Sequence, residues 1–589
     1  MNQPAGVRRA LRRFVIDRGG LVALAALIAY LWIAPSHIVD GDNAEFSTIS
    51  VAGGVAHPTG YPAYLLWLRA TSWLPGSTPA HTAAIATAIL AAIQLLVLHA
   101  ACRAWGARAI ASTFAVAIYA SGPVAMRYSS EAEVFLLNQL VVAAVLYLAA
   151  REGPLRGGLR VAALGLAAGL GIADHMTCVL IAPVGILGAV RGVREAKHRT
   201  GAAAAGVAAL AVGLLPYAYL FVTEETIVSW PTLVGAGDLI DHVLRRAYGG
   251  PGTFSAAPGT LHPVANLVAF AVTLARAWWW IPGIAGLAML GARCMRTDRG
   301  EPRSGWRMLA LAFVVAGPLL AARFNIEPAG FDLYVVRRFH LMPTLLLAVP
   351  VASALDLVVA RYETRLRAEA ATAIGVLGFV TAAVIAVPDL MRVRTPAYEH
   401  AMRGMLHGLP ANAVVFSSGD VIFLGTGYLQ AACGERPDVT IVLWHYVSLH
   451  WYRDKLARHG LVIDTARDAM PSVRNAEQIL ASGRPLFVDL SLGNILTKLP
   501  SYPYGTLFRV LPRGQAIPSV DDIAAINRDW FAALDLDYPR PGRDDEYPSL
   551  IHEGYAATWK IIADGFAAAG RLDGATTAAA LQRELGPAP

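Results

Sequence analysis

Between residues 20 and 390 the chain passes through one long apolar run after another, most of them closed by arginines. Nothing else in the sequence constrains the fold as strongly. A helix needs roughly 20 apolar residues to cross a hydrocarbon core, where its backbone polar groups find partners only within the segment itself. The runs 20–38, 80–102, 107–126, 133–150, 159–173, 178–191, 202–222, 263–292, 308–322, 341–360 and 369–389 suit that task and predict about 11 spans. Composition agrees, with 56% of residues hydrophobic and 15% charged, whereas ordinary soluble domains carry about a quarter charged residues. After about residue 395 the charges are dispersed evenly. The expectation is a polytopic α-helical membrane protein with two domains: a transmembrane unit over 1–394 and a soluble α/β unit with a helical tail over 395–589.

Charge fixes the direction of the thread. From a cytoplasmic N-terminus, the inner segments carry Arg8, Arg9, Arg12, Arg13 and Arg18, then Arg103 and Arg108, then Arg151, Arg156 and Arg160. They continue with Arg191, Arg194, Lys197 and Arg199, then Arg293, Arg296, Arg299, Arg303 and Arg307, and last Arg361, Arg365 and Arg367. That is about 22 basic residues, against about seven in the outer loops: Arg69, Arg127, Arg245, Arg246, Arg323, Arg337 and Arg338. An odd number of spans then puts the C-terminal unit outside, which describes a multi-pass inner (plasma) membrane protein with a periplasmic domain. The net charge of +7 is spent on these orienting clusters and does not point to nucleic acid. The N-terminal arginines followed by Leu21–Ala34 read as an uncleaved first span, with no clear small-x-small cleavage site. Cys102, Cys178, Cys294 and Cys433 offer neither a metal spacing nor a disulfide framework.

The same thread gathers polar chemistry on the outer face. Asp40, Asp42 and Glu45 follow the first span, Glu131 and Glu133 precede the fourth, and Asp174 with His175 turns between two short spans. Arg245, Arg246, Arg337 and Arg338 are the only clustered cations of those outer loops. Carboxylates at the ends of a bundle are costly unless they are paired or functional, and such a face can hold an anion and move a proton. Asp42 and Glu45, three apart, share a helical face. Pro58, Gly60 and Pro62 impose a turn after His57. Bland roles stand beside these: Asp42 as a helix N-cap, His57 as a structural histidine, Glu131 or Glu133 as a helix-dipole partner, and Arg337 and Arg338 as interfacial anchors.

Three motifs, in order, carry a resemblance: Gly41-Asp42-Asn43-Ala44-Glu45, Ala56-His57-Pro58-Thr59-Gly60-Tyr61-Pro62, and Glu131-Ala132-Glu133-Val134-Phe135-Leu136-Leu137-Asn138. Together they resemble a family of membrane proteins related to the vertebrate transmembrane protein O-mannosyltransferase, within the C-type (GT-C) glycosyltransferase superfamily. Further similarity lies in Ser229-Trp230, Asp241-His242-Val243, Tyr248-Gly249, Arg338-Phe339, Leu409-Pro410, Gly419-Asp420 and Arg436-Pro437-Asp438. Asn43-Ala44, Thr59 and Asp174 depart from the family pattern without removing an acidic or histidine position.

The resemblance implies a GT-C-like fold and transfer of a mannose-like sugar from a polyprenyl-phosphate donor. The acceptor it implies is a hydroxyl, on protein or glycan, at the extracytoplasmic surface. It implies Asp42 as general base with Glu45 beside it or in its place. Donor phosphate or sugar falls to Arg245, Arg246, Arg337, Arg338, His57, Tyr61 and His175, and substrate to Glu131, Glu133 and Asn138. No metal cage is evident in the sequence, so the expected reaction is metal-independent, with a cation shared by Asp42 and Glu133 as the alternative. A lipid acceptor, or a transporter or flippase, are the competing functions.

In the C-terminal unit, strands are expected at Asn412–Phe416, Val439–Leu443, Pro485–Leu490 and Thr506–Leu511. Helices are expected at His450–His459, Asp521–Leu534 and from Ser549 onward. Gly419-Asp420 closes the first strand, where ligands often sit in such sheets. Trp444, His445, Trp451 and Tyr452 form an aromatic group suited to a sugar, a peptide or the membrane surface. The unit is expected to recognise the acceptor or to act as a lid.

Overall fold

The computed structural model describes residues 18–226, 228–250, 261–296, 300–362, 368–463 and 473–589. Arg8, Arg9, Arg12, Arg13, Arg299, Arg365 and Arg367 of the topology argument lie outside the described residues. The N-terminal two thirds is a helical bundle. Its longest early helix, Pro79–Ala104, starts where the Thr78 side chain accepts from the His81 N–H and Pro79 occupies the first turn, where the missing N–H has no consequence. Helices Gly157–Asp174 and Arg199–Gly213 touch backbone to backbone. A Cβ on Gly165 would lie 2.1 Å from the Gly206 carbonyl oxygen, and one on Gly169 would lie 2.2 Å from that of Leu210. Small residues four apart allow this approach, which lets dispersion hold helices together where lipid offers no hydrophobic drive. Leu21, Leu24 and Ile28 point outward from the first helix, as lipid-facing side chains would.

Among the described residues, five helices are long and apolar enough to cross a membrane, seven if each of two bent pairs is one span; helices Gly19–Trp32, Ala109–Ser121 and Phe135–Ala149 are apolar but shorter. The single span expected over 263–292 is instead two helices, Pro263–Ala277 and Ile281–Met295, bent by 108°. Trp279 and Trp280 both adopt positive φ at the break, and Pro282 cannot continue the preceding helix. The run 308–322 widens into one π turn, Val315–Leu319, around Pro318, a local device that absorbs the missing N–H. The run 341–360 begins earlier than expected, at Gly330, and bends by 42°.

Residues 397–585 build a five-stranded sheet flanked by helices. Its strands are β1 (Val414–Ser417), β2 (Thr440–Leu443), β3 (Leu486–Val488), β4 (Ser501–Tyr504) and β5 (Leu507–Val510), in the order β2-β1-β3-β5-β4. β2 and β3 run parallel to β1 on either side, and β5 and β4 close the sheet antiparallel. β1 is buried throughout, as a central strand of a covered parallel sheet should be. β4 was not expected from the sequence; Pro503 sits on it, at the sheet edge, where a missing N–H is tolerated.

The two parts share one core: a single buried cluster runs from Val22 through Phe46 and Tyr64 to Phe416 and Tyr547. Polar contacts join them at the end of the bundle that carries Asp42. The Gly41 N–H donates to the Tyr547 hydroxyl at 3.1 Å, and the Ile38 N–H to Glu399 at 3.0 Å. The Lys455 ammonium, 1% exposed, donates to the Thr226 carbonyl at 2.9 Å and lies 3.1 Å from Glu225. Arg394, fully enclosed, donates to Ser130 at 2.9 Å and pairs with Glu131 at 3.2 Å.

Candidate active site

The first outer loop folds into the helix Gly41–Ala52. Its N-cap is Asp40, in extended conformation with its side chain accepting from the Asn43 N–H at 2.8 Å. The capping role considered for Asp42 therefore belongs to its neighbour two residues back. Asp42 stands in the first turn, where the helix dipole favours negative charge, and its side chain is free to face the bundle. The chain then turns back through Gly53, Gly54 and Gly60, all with positive φ. At Gly60 a Cβ would lie 3.1 Å from His242 Nε2, so both conformation and space require glycine there.

Asp42 forms an ion pair with Arg338, 296 residues away, and Glu133 lies 3.8 Å from the same guanidinium. Burial on its own would raise the Asp42 carboxyl; the charge of Arg338, then those of His57 and Arg245, outweigh it and hold the group below its ordinary value. Glu133 is 1% exposed. There burial prevails over the Arg338 charge, with the Asp42 and Asp40 carboxylates adding to it, and the Glu133 carboxyl is pushed well up. The same arginine thus holds Asp42 low while burial keeps Glu133 high. Asp40 is likewise pushed up, to about 7, by burial and by Glu131 and Asp42.

Beside them, Glu45 grips His57. Its carboxylate accepts from the His57 N–H at 2.9 Å and lies 2.5 Å from Nδ1. Burial lowers the His57 imidazole, but the Glu45 charge and hydrogen bond raise it further, so the net displacement is upward. The Tyr61 hydroxyl lies 2.9 Å from His57 Nε2, and the Tyr61 ring stacks on His175 with 5.6 Å between centroids and 9° between planes. His175 Nδ1 accepts from the Thr177 N–H at 3.2 Å, which in the neutral ring leaves the proton on Nε2. Burial, then Arg338 and Arg245, push this imidazole down to about 3, so it is neutral and a donor. Asn138 reaches His175 only through Thr177, to which it donates at 2.7 Å.

Asp42, His57, Tyr61, His175, Arg245 and Arg338 line one cavity of ≈ 80 Å³, whose remaining walls include Phe46, Phe135, Phe324 and Phe339. Arg245 and Arg338 each keep a buried Nε–H without a hydrogen-bond partner. Asp42, Glu45 and His57 offer ligand atoms within 4.8 Å of one another and could hold a cation; Glu133 does not join that group.

Four sequence candidates are placed elsewhere. Arg246 pairs with Asp241 at 2.5 Å on the surface, where it is 62% exposed. Arg337 turns to Glu546, 3.1 Å away. Glu131 is consumed by Arg394 and by Arg127, 3.5 Å away. Glu45 touches the cavity only through His57. Sequence reasoning did not anticipate Glu546 and Tyr547. Glu546 bridges Arg127 (2.5 Å) and Arg337, and Tyr547 packs against Phe331, Tyr334 and Tyr398 beneath Gly41. No local pattern marks them, because their partners lie in other loops.

The fold is similar to that of a solved membrane protein, ArnT. The crystal structures of ArnT from Cupriavidus metallidurans, bound to undecaprenyl phosphate and in the apo state, superpose with TM-scores of 0.53 at 13% and 12% identity. Each superposition covers 85% of this chain and 98% of ArnT. Residues 42–198 match the family model of the protein O-mannosyl-transferase TMEM260 N-terminal domain, a stretch that holds Asp42, His57, Glu133 and His175. The chain is 25% identical over 462 residues to protein O-mannosyl-transferase TMEM260 of Mus musculus, covering 75% of this chain and 65% of the mouse protein. It is 20% identical over 480 residues to the Dictyostelium discoideum protein of that name, covering 74% and 58%. The chain thus spans less than two thirds of the length of the curated relatives it matches.

Proposed function

We propose that this chain is a membrane O-mannosyltransferase. It moves a mannose-like sugar from a polyprenyl-phosphate donor to a Ser or Thr hydroxyl on the extracytoplasmic side, with inversion at the anomeric carbon. The observation that carries this reading is the cavity in which Asp42 and two arginines with spare N–H donors meet. Phosphate oxygens suit those donors, and the guanidinium fork can bond two of them at once. The phenylalanines around the cavity suit the first isoprene units of a lipid carrier.

An alcohol is scarcely ionised at neutral pH, so the acceptor oxygen needs a base as its bond to the anomeric carbon forms. Asp42 takes that proton. The bond between the anomeric carbon and the phosphate oxygen breaks, its electrons leave with the polyprenyl phosphate, and Arg245 and Arg338 stabilise the charge where it grows. A donor phosphate competes with Asp42 for Arg338. Loosening that ion pair raises the basicity of Asp42, so donor arrival readies the base. His175 Nε2–H is a hydrogen-bond donor available to the sugar or the departing phosphate. The reading takes the reaction as metal-independent, because Asp42 and Glu45 already face cationic partners in Arg338 and His57. Loss of activity in EDTA, restored by a divalent cation, overturns that part.

The test uses purified protein in lipid, a panel of polyprenyl-phosphate sugars and a library of Ser- and Thr-containing peptides. Mannose is expected on peptide hydroxyls, with turnover down by orders of magnitude in Asp42→Asn and donor binding retained. Equal turnover in variant and parent removes Asp42 from the mechanism.

A further inference from the structure

The cavity accounts for the donor but leaves open where the acceptor is held. The sheet offers an answer. β1 lies between two parallel strands, β2 on one side and β3, which follows β2 in the chain, on the other. In open sheets of parallel strands, ligands bind outside the carboxyl ends of the strands. The carboxyl end of β1 leads through Ser418 and Gly419 into the helix Asp420–Ala431, and that of β2 into the turn Trp444–Ser448.

Both ends are turned toward the Asp42 cavity. Helix Asp420–Ala431 packs on helix Gly41–Ala52 so closely that a Cβ on Gly41 would lie 3.3 Å from Leu424 Cδ1. Asp420, one turn before Leu424, is on the same face. From the β2 end, the Tyr446 hydroxyl lies 3.3 Å from that of Tyr248. The Tyr248 ring lies under the guanidinium of Arg245, at 5.4 Å, and Arg245 lines the cavity. Trp230 closes the group, 5.1 Å from Tyr446 and 5.3 Å from Trp451 between ring centroids. Asp420 is solvent-accessible and makes no hydrogen bond or ion pair among the described residues. Asp42, His57, Glu45 and His445 face it from both parts of the molecule.

The geometry points to Asp420, with Tyr248 and Tyr446, as the acceptor-binding edge: a segment of polypeptide lies along the carboxyl ends of β1 and β2, its backbone N–H groups or hydroxyls bonded to Asp420, its reactive hydroxyl delivered to Asp42. The inference rests on the transferase reading above and names the acceptor side of that site. A phosphate is excluded from this edge by charge, since a second carboxylate repels it while the two arginines lie at the cavity. The lipid-linked donor comes from the bundle. What reaches Asp420 comes from the sheet side.

The experiment compares parent, Asp420→Asn and Asp420→Glu in lipid, with polyprenyl-phosphate mannose as donor and the Ser/Thr peptide library as acceptor. Asp420→Asn is expected to raise the peptide KM at least tenfold while the Kd for radiolabelled donor stays within twofold, and Asp420→Glu to recover part of the loss. An unchanged peptide KM in Asp420→Asn, or an equal weakening of donor and peptide, overturns the inference and leaves the transferase reading standing. Mannose transfer by the parent to glycans with none to peptides overturns the inference and, with it, the Ser/Thr acceptor of the reading above. A parent protein that moves mannose to nothing overturns both.

Discussion

Arg338 and Asp42 form an ion pair across 296 residues of sequence, and the same guanidinium has Glu133 3.8 Å away. Arg338 therefore keeps one carboxylate ionised while its own Nε–H stays unbonded. Replacing it with alanine removes the charge that stabilises both Asp42 and a departing phosphate. Turnover in Arg338→Ala is expected to fall about 100- to 1000-fold, with Arg338→Lys recovering part, in the transfer assay. The double variant Asp42→Asn/Arg338→Ala is expected to be far less impaired than the product of the single effects, as residues acting as a unit are. Multiplicative losses would separate the two.

Glu45 holds His57 in its charged form, and the sign of the pH effect follows. A folded imidazole raised above 6.5 contributes stability that is fully present below that value and fades as pH rises through the raised one. The thermal stability gap between parent and Glu45→Gln is expected to be widest in acid and to narrow above pH 6.5. A gap that widens toward alkaline pH contradicts the pairing.

How much of this was legible in the sequence differs from residue to residue. Asp42, His57, Glu133 and His175 lie in short loops between strongly apolar runs, so pattern alone placed them on one face, and the cavity brings Asp42, His57 and His175 to its wall. The partners were not legible, because Arg338 and Arg337 look alike in sequence while helix rotation turns one to Asp42 and the other to Glu546. The sequence offered Asp42 as a cap, and backbone geometry gives that role to Asp40. The run 263–292 is apolar but for Asn266, Thr273 and Arg276, and hydropathy carries no trace of a 108° bend that falls where Trp279 and Trp280 take positive φ, just before Pro282. Strand β4 escaped because proline argued against it.

Glu546, 5% exposed, bridges Arg127 and Arg337. Replacing it with glutamine keeps its shape and removes its charge, leaving two guanidinium groups beside an amide. Unfolding stability is expected to fall by about 1.5–3 kcal/mol, the usual worth of a hydrogen bond to a charged group. Thermal unfolding of the purified protein measures this, and an unchanged midpoint shows that Glu131 alone suffices for Arg127.

Lys455 is pushed down to about 8 by burial, against the pull of Glu225. A lysine depressed from 10.5 has lost its proton in the folded chain while the unfolded chain still holds one. Between about pH 8 and 10.5 folding stability therefore rises with pH on its account. Melting curves of parent and Lys455→Met across that range are expected to diverge in favour of the parent as pH increases. Parallel curves would place the lysine in a wetter setting.

Tyr547 meets the backbone at Gly41, one residue from the base. The floor beneath Asp42 is thus laid by a part of the polypeptide that leaves the ribosome more than 500 residues later. During synthesis the early helices can enter the bilayer and meet lipid carriers long before that floor exists. On the proposed function, competence to transfer sugar would wait until the late-made helix has docked, and a half-finished chain would be spared from spending donor on the wrong nucleophile.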